Sequence, residues 1–209
     1  MKRPPEIAIT RLAMYLRLLE DYAREKDSKS AINSTELAQL LDINPHQIRK
    51  DLSYFGKFGE RGLGYRIEEL KEKIRRILGL DKQWNLCICG MGNLGLALFA
   101  YRGFKAMHLA VVAGFDNDPH KIGREYNGAK IYRTKSISSM VKKLGIEMAI
   151  IAVPASTAQS IVDALMKSGV RAILNFAPVS LVVPSNVKLR NVDLSAELVH
   201  LTYFLSAPK

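Results

Sequence analysis

The segment Cys89-Gly-Met-Gly-Asn-Leu-Gly95 limits the folds open to this chain more than any other stretch. Its glycines, Gly90, Gly92 and Gly95, make the pattern GxGxxG directly behind the apolar run WNLCIC and ahead of the helical stretch LALFAYRGF. A second apolar run, LAVVAGFD, ends at Asp116, 21 residues past Gly95. Strand, glycine turn, helix, strand and terminal acid is the order of a dinucleotide-binding βαβ unit. Gly90 permits the turn, Gly92 lets the main chain meet a pyrophosphate, and Gly95 packs helix on strand. The start of the helix offers N–H groups and partial positive charge to phosphates. Cofactor contacts are therefore expected from Gly90, Met91, Gly92, Asn93, Leu94 and Gly95. Asp116 is expected to accept from the adenosine ribose and to repel a 2′-phosphate, favouring NAD(H) over NADP(H), with Lys121 and Arg124 nearby softening that preference. The plainer alternative is a Rossmann-like domain that holds no dinucleotide.

The alternation continues through GAKIY, SISSMVKKLG, EMAIIAVP, STAQSIVDALMKSG, RAILNFAPV and VKLRNVDL, which predicts a doubly wound, mainly parallel sheet over about residues 84–193. Ligands of such sheets lie outside the carboxyl ends of the strands. Val153 and Pro154, with Phe176 and Ala177, are thus candidates for the nicotinamide end. All four are apolar, and oxidised nicotinamide is a cation that is costly to bury unpaired. NADH is therefore expected to bind more tightly than NAD+. Only about 16 residues follow the sheet, too few for a substrate domain. None of the four histidines falls where hydride chemistry needs an acid or base, and Tyr101 has no lysine four residues on. The cofactor is then a signal and the protein not an enzyme; a small NAD-dependent oxidoreductase is the competing reading.

The first eighty residues have another rhythm. EIAITRLAMYLRLLEDYARE places Ile9, Leu12, Leu16, Leu19 and Ala23 at helical spacing. Asn33 and Glu36 form a helix-start pair before STELAQLL, which buries Leu37, Leu40 and Leu41. Asn44 and Pro45 then open a second short helix, the spacing of a helix-turn-helix. There Ile48, Leu52 and Phe55 face inward, while His46, Lys50, Ser53 and Lys57 lie opposite, flanked by Gln47 and Arg49. Such a face of donors suits a major groove, although a solvated face on a structural helix has the same pattern. Gly56 to Tyr65 then packs four glycines into ten residues with Lys57 and Arg61, which predicts a tight β-ribbon with Arg61 at its tip, aimed at a minor groove. Helix, turn, helix and ribbon is the winged-helix order.

Net charge is +11, which points to a polyanionic partner, but both halves are basic, with 16 Lys/Arg against 12 Asp/Glu in residues 1–80 and 15 against 8 in 81–209. Local placement decides: residues 43–66 carry five Lys/Arg against two Asp/Glu. Cys87 and Cys89 share one strand face and read either as inert thiols or as a peroxide-sensitive pair. No signal sequence or apolar run of roughly 20 residues is evident, so a cytoplasmic protein without membrane attachment is expected. DLSAELVHLTYFL is helical in pattern and more apolar than a terminal helix on a monomer, which predicts burial against a second copy.

RKDLSYFGKFGERGLGY, CGMGNLG, FDNDP, NFAPV and VDLSAEL, in this order and over nearly the whole length, resemble the Rex family of redox-sensing transcriptional repressors. The resemblance implies a winged helix-turn-helix domain at 1–80, a Rossmann NAD(H)-binding domain at 81–192 and an exchanged dimerisation helix at 193–209. It implies a homodimer bound to a palindromic operator in double-stranded DNA, with repression relieved as NADH rises relative to NAD+. Arg49, Lys50 and Ser53 would touch the major groove and Arg61 the minor groove. Arg17, Tyr101 and Asp193 also match family positions, as a polar link between the two halves and the tail. Leu194 stands where some relatives carry an aromatic. A sensor of another adenine nucleotide, such as coenzyme A, shares the glycine turn and stays open.

Overall fold

Ala8, Leu12, Tyr15, Leu16 and Leu19 recur three and four residues apart and form the buried face of α1 (Glu6–Glu25). In this computed structural model residues 4–25, 31–59 and 63–206 are described, and the chain divides into two compact units, Met1–Lys82 and Gln83–Lys209. After α1 come β1 (Ala31–Ile32), α2 (Ser34–Leu41) and α3 (Pro45–Ser53). The expected capping box opens α2: Asn33 Oδ1 accepts from the Thr35 and Glu36 N–H groups, and Glu36 accepts from the Asn33 N–H. Asp42, left-handed at φ 51°, ends α2, and Asn44 caps α3 through the His46 N–H at 2.8 Å.

β2 (Tyr65–Arg66) and α4 (Ile67–Ile77) complete the first unit. Gly79, at φ 70°, stops the helix: its own N–H and that of Leu80 reach back to the Arg76 and Arg75 carbonyls. Three expectations change. Ile9 and Leu40 are exposed, because the stripes turn onto Ala8 and Ala38 instead. Phe55 lies beyond the end of α3 and is only half-buried. The ribbon is not paired within 56–65 among the described residues; β2 pairs antiparallel with β1, in register Ala31↔Arg66 and Ile32↔Tyr65. Arg61 lies outside the described residues.

The second unit contains β3 (Trp84–Cys89), α5 (Asn93–Phe99), α6 (Gly103–Ala106), β4 (Leu109–Asp116), β5 (Glu125–Tyr126), β6 (Ala129–Arg133), α7 (Ile137–Lys143), β7 (Met148–Ile151), α8 (Ala155–Lys167), β8 (Ala172–Asn175), β9 (Lys188–Asn191) and α9 (Leu194–Ser206). The sheet order is β5-β6-β4-β3-β7-β8-β9, parallel throughout except for the β5–β6 hairpin. This is the doubly wound order, in which the chain goes from β3 outward to one side and then returns to β7 on the other. The expected helix LALFAYRGF is broken at residues 100–102 into α5 and α6. The β5 hairpin had no clear alternating signal in two residues. Phe115, Ile151, Val162, Leu165 and Ile173 pack one face of the sheet, and Ile88, Met91, Phe99 and Ile131 the other.

Candidate DNA-reading helix and dinucleotide turn

In the first unit, α3 presents His46, Arg49, Lys50 and Ser53 to solvent and buries Ile48, Asp51 and Leu52. Asp51 is the exception on that inner face, a carboxylate with 0% exposure. Arg11 of α1 clamps it with two bonds, Nε to Oδ2 at 2.5 Å and Nη2 to Oδ1 at 2.7 Å. The Tyr15 hydroxyl donates to Oδ2 and Gln47 Nε2 to Oδ1, both at 2.7 Å. Burial alone would raise the pKa of this carboxyl; the donated bonds outweigh it and hold Asp51 below its ordinary value. The Tyr15 phenol is pushed up, by burial first and then by the anion it donates to.

The expected contact residues are therefore not equivalent. Lys50 and Lys57 are exposed, and Ser53 Oγ donates to the Lys50 carbonyl. Arg49 already donates to Ser34 Oγ at 2.8 Å. Gln47 is half-buried and tied to Asp51. The Asp51 knot was missed because Arg11 and Tyr15 reach Asp51 and its helical neighbour Gln47 only through the packing of α1 on α3. An Asp among the inward positions of a short helix was the available signal.

The ribbon's base depends on glycine. A Cβ on Gly59, at φ 66°, would sit 2.2 Å from the Gly64 carbonyl oxygen, so the main chain at Gly59 and at Gly64 lies too close for a side chain between them. Lys73 of α4 lies over the Phe58 ring at 5.6 Å from its centroid.

In the second unit, the turns after β3 and β7 meet at the switch point. The Gly90 N–H donates to the Phe115 carbonyl at 2.8 Å and the Ala152 N–H to the Cys89 carbonyl at 2.7 Å. A Cβ on Gly90 would lie 2.3 Å from the Ala152 oxygen, and one on Gly95 1.8 Å from the Gly90 oxygen. A Cβ on Gly92 would meet nothing within 4 Å. Gly90 and Gly95 thus close the turn on its scaffold, while Gly92 faces open space at the start of α5, where a phosphate needs room. Asn93 and Leu94 are exposed beside it; the neighbouring strand β7 stops at Ile151, short of the expected end, and Val153 and Pro154 lie past it in the link to α8, with Pro154 as that helix's N-cap. The arrangement fits a dinucleotide pyrophosphate.

Two expected contacts differ from their sequence reading. Met91 has 0% exposure, with its side chain in the core beside Gly114 and Phe99; only its main chain faces the turn. Asp116 Oδ2 accepts that Met91 N–H at 2.7 Å, and Oδ1 accepts the Asp118 N–H at 2.8 Å. Lys121 Nζ stands 3.4 Å from Asp116 and 3.5 Å from Asp118. Burial raises the Asp116 pKa, but these N–H groups and Lys121 prevail and lower it. The acid thus braces the glycine turn as well as standing at the end of β4. Cys87 and Cys89 are both free and fully buried, and the contact with Cys87, together with burial, pushes the Cys89 thiol well up, against thiolate chemistry.

Asn175, 1% exposed at the end of β8, was also missed. Its amide donates to the Ala177 and Val179 carbonyls and to Asn191 Oδ1, and its oxygen accepts the Ala177 N–H. It sets the course of the NFAPV loop, and with it Phe176 and Ala177. Of the three suggested link residues, Arg17 is exposed on α1. Tyr101 is 54% exposed, with its ring edge-on to Phe104 and against Gly103. Asp193 caps α9, Oδ1 accepting the Ser195 and Ala196 N–H groups at 2.9 and 3.1 Å. Along α9, Leu194, Leu198, Val199, Leu201, Tyr203, Phe204 and Leu205 are all more than half exposed. Among the described residues no group of metal-ligating side chains occurs and no helix is long and apolar enough to cross a membrane.

A helix-turn-helix unit followed on one chain by a doubly wound sheet with a glycine turn defines a two-part regulator class. Residues 5–53 match the family described as "Putative DNA-binding protein N-terminus", and residues 81–179 the CoA binding domain. The redox-sensing transcriptional repressor Rex of Desulfitobacterium hafniense is 46% identical over 95% of this chain and 94% of its own length. That of Roseiflexus sp. is 40% identical over 99% and 93%. RSP, a Rex-family repressor, solved with β-NAD+ and operator DNA, is 35% identical and superposes with a TM-score of 0.91 over 98% of this chain and 94% of that one. Its complex with β-NADH gives 0.87 at 33% identity, over 98% and 95%. The chain belongs to the Rex family of redox-sensing transcriptional repressors.

Proposed function

We propose that this protein is a cytoplasmic transcriptional repressor, not an enzyme, that binds a palindromic operator as a homodimer and releases it when NADH occupies the second unit. Residues 1–80 bind DNA, 81–192 bind NAD(H) and 193–209 bind the second copy, whose surface covers the exposed apolar residues of α9. Lys50, Ser53, Arg49 and Gln47 serve the major groove, Lys57 the backbone, and Arg61 the minor groove. The main chain from Gly90 to Gly95, with Met91, Asn93 and Leu94 contributing through it or beside it, holds the pyrophosphate. Asp116 serves the adenosine ribose while bracing the turn, and Val153 and Pro154 flank the nicotinamide. Arg17, Tyr101 and Asp193 couple the parts.

One observation carries this reading: a donor-rich recognition helix and an open glycine turn stand on one chain that aligns end to end with a repressor solved with both NAD+ and operator DNA. NADH must favour the dimer shape that does not fit DNA, otherwise it shifts nothing. A coupling of about 1–3 kcal/mol gives a 5–150-fold loss of DNA affinity and, by reciprocity, the same loss of NADH affinity on DNA. The test is a DNA-mobility titration on a palindrome selected in vitro, with NAD+, NADH and coenzyme A in separate arms. Release by NADH alone is expected. Release by coenzyme A would move the site to another adenine nucleotide, and turnover of a carbonyl substrate would restore the enzyme reading.

A further inference from the structure

Gln47 occupies the first turn of α3, the part of a recognition helix that reaches base edges. Its Nε2 donates to Asp51 Oδ1 at 2.7 Å. An ionised carboxylate only accepts, so the amide can meet it only with its NH2 end. A flipped amide would set its carbonyl oxygen against the anion. Asp51 has no freedom to turn away, because Arg11 and Tyr15 hold both of its oxygens and the side chain is wholly buried. Among the described residues no buried side-chain oxygen lacks a hydrogen-bond partner, yet Gln47 Oε1 makes none; that oxygen therefore reaches solvent. His46 and Lys50 are exposed on either side of it.

We propose that Asp51 locks the Gln47 amide with its oxygen toward the groove, so that Gln47 determines specificity for a base offering an amino group and Asp51 is its positioning residue. The inference rests on the DNA-binding role given to α3 above. On the contacted strand the oxygen accepts adenine N6–H or cytosine N4–H. Adenine also suits the remaining N–H, through N7. Guanine and thymine bring an acceptor to the same oxygen and are rejected. A lock of this kind explains why a buried charge occupies the inner face of α3, since an apolar residue there would pack as well or better.

The test measures full-length protein against a set of operators in which each half-site position carries each base in turn. One position is expected to favour adenine or cytosine over guanine and thymine by about fivefold or more, the lower range of a base contact. Gln47→Leu is expected to flatten that position alone. Asp51→Asn frees the amide to flip, and is expected to reduce the discrimination against guanine there to less than about twofold, leaving the other positions and the salt dependence unchanged. A merely structural Asp51 would weaken every position together, and that pattern overturns the proposal. So does Gln47→Leu with all preferences intact, or a flattened position at which the native chain prefers guanine or thymine. Should Asp51→Asn fail to fold, the Gln47→Leu profile decides alone. A native chain that selects no operator at all overturns the repressor reading itself, a distinct result.

Discussion

In the first unit the exposed face of α3 is held by a buried carboxylate that accepts four hydrogen bonds from two helices. In the second, the glycine turn is held by main chain packed on main chain, with Gly90 against Ala152 and Gly95 against Gly90. The two solutions suit the ligands proposed for them. A phosphate is met by N–H groups at fixed positions, so side chains there are obstacles and their absence is the design. Base edges differ in donor and acceptor order, so their reader needs side chains with fixed orientation, and that takes polar anchors inside the unit.

The contrast breaks most readily at Gly95. An alanine there would put its Cβ where the Gly90 oxygen now stands, at 1.8 Å, so the turn must open. Overpacking of this kind costs up to about 3 kcal/mol, which lowers NADH affinity by roughly 150-fold if it falls on the site. Titration calorimetry on Gly95→Ala checks it, with DNA binding in the absence of cofactor expected to stay within about twofold of native. Native NADH affinity in this variant would mean that the turn is not the cofactor's seat.

The matching change in the first unit is Asp51→Ala. Removing one partner of a buried ion pair costs about 3–5 kcal/mol, and the lower end applies because Arg11 keeps 20% exposure and recovers some water. Denaturant unfolding should lose that much from the first unit and nothing from the second. The acid limb has the same origin. The folded pKa of Asp51 lies below its ordinary value near 3.8, so the stabilisation is complete above about pH 4 and is lost as pH falls through the folded value. Asp116 is lowered as well, so both units lose stability below pH 4. In Asp51→Asn the first unit's share of that slope should vanish while the second's persists; an unchanged slope in the first unit would show that Asp51 does not hold it.

The same contrast explains what could be read in advance. Main-chain constraints leave glycines at fixed spacing, so Gly90, Gly92 and Gly95 were legible at once, and the strand–helix order around them gave the sheet. The helix-turn-helix was legible through Asn33, Glu36, Asn44 and Pro45, because caps are local. The Asp51 knot was not, since Arg11 and Asp51 are 40 residues apart and meet only when α1 packs on α3. Nor was Asn175, whose partners lie across a loop and a neighbouring strand. Gln47 was singled out for DNA on helical position alone, which says nothing about which way an amide is turned. The break between α5 and α6 was hidden because Ala100, Tyr101 and Arg102 all suit a helix, and helical spacing alone does not show that the Tyr101 ring folds onto Gly103 and Phe104.

The smallest effect concerns a residue that belongs to neither solution alone. Asp193 is proposed as part of a polar link between the parts, and the structure shows it as the cap of α9. Asp193→Ala removes both, at about 1 kcal/mol for the cap, so any change in DNA release could come from a frayed helix. Asp193→Asn separates them, because an asparagine oxygen caps about as well but carries no charge. With the helix and the proposed homodimer intact by circular dichroism and sedimentation, the Asn variant should still bind DNA and NADH separately. The NADH concentration needed to release half the operator should nevertheless rise by roughly fivefold, the low end of an allosteric coupling. If the Asn variant releases DNA like the native chain while the Ala variant does not, the charge couples nothing and Asp193 acts through the helix it caps.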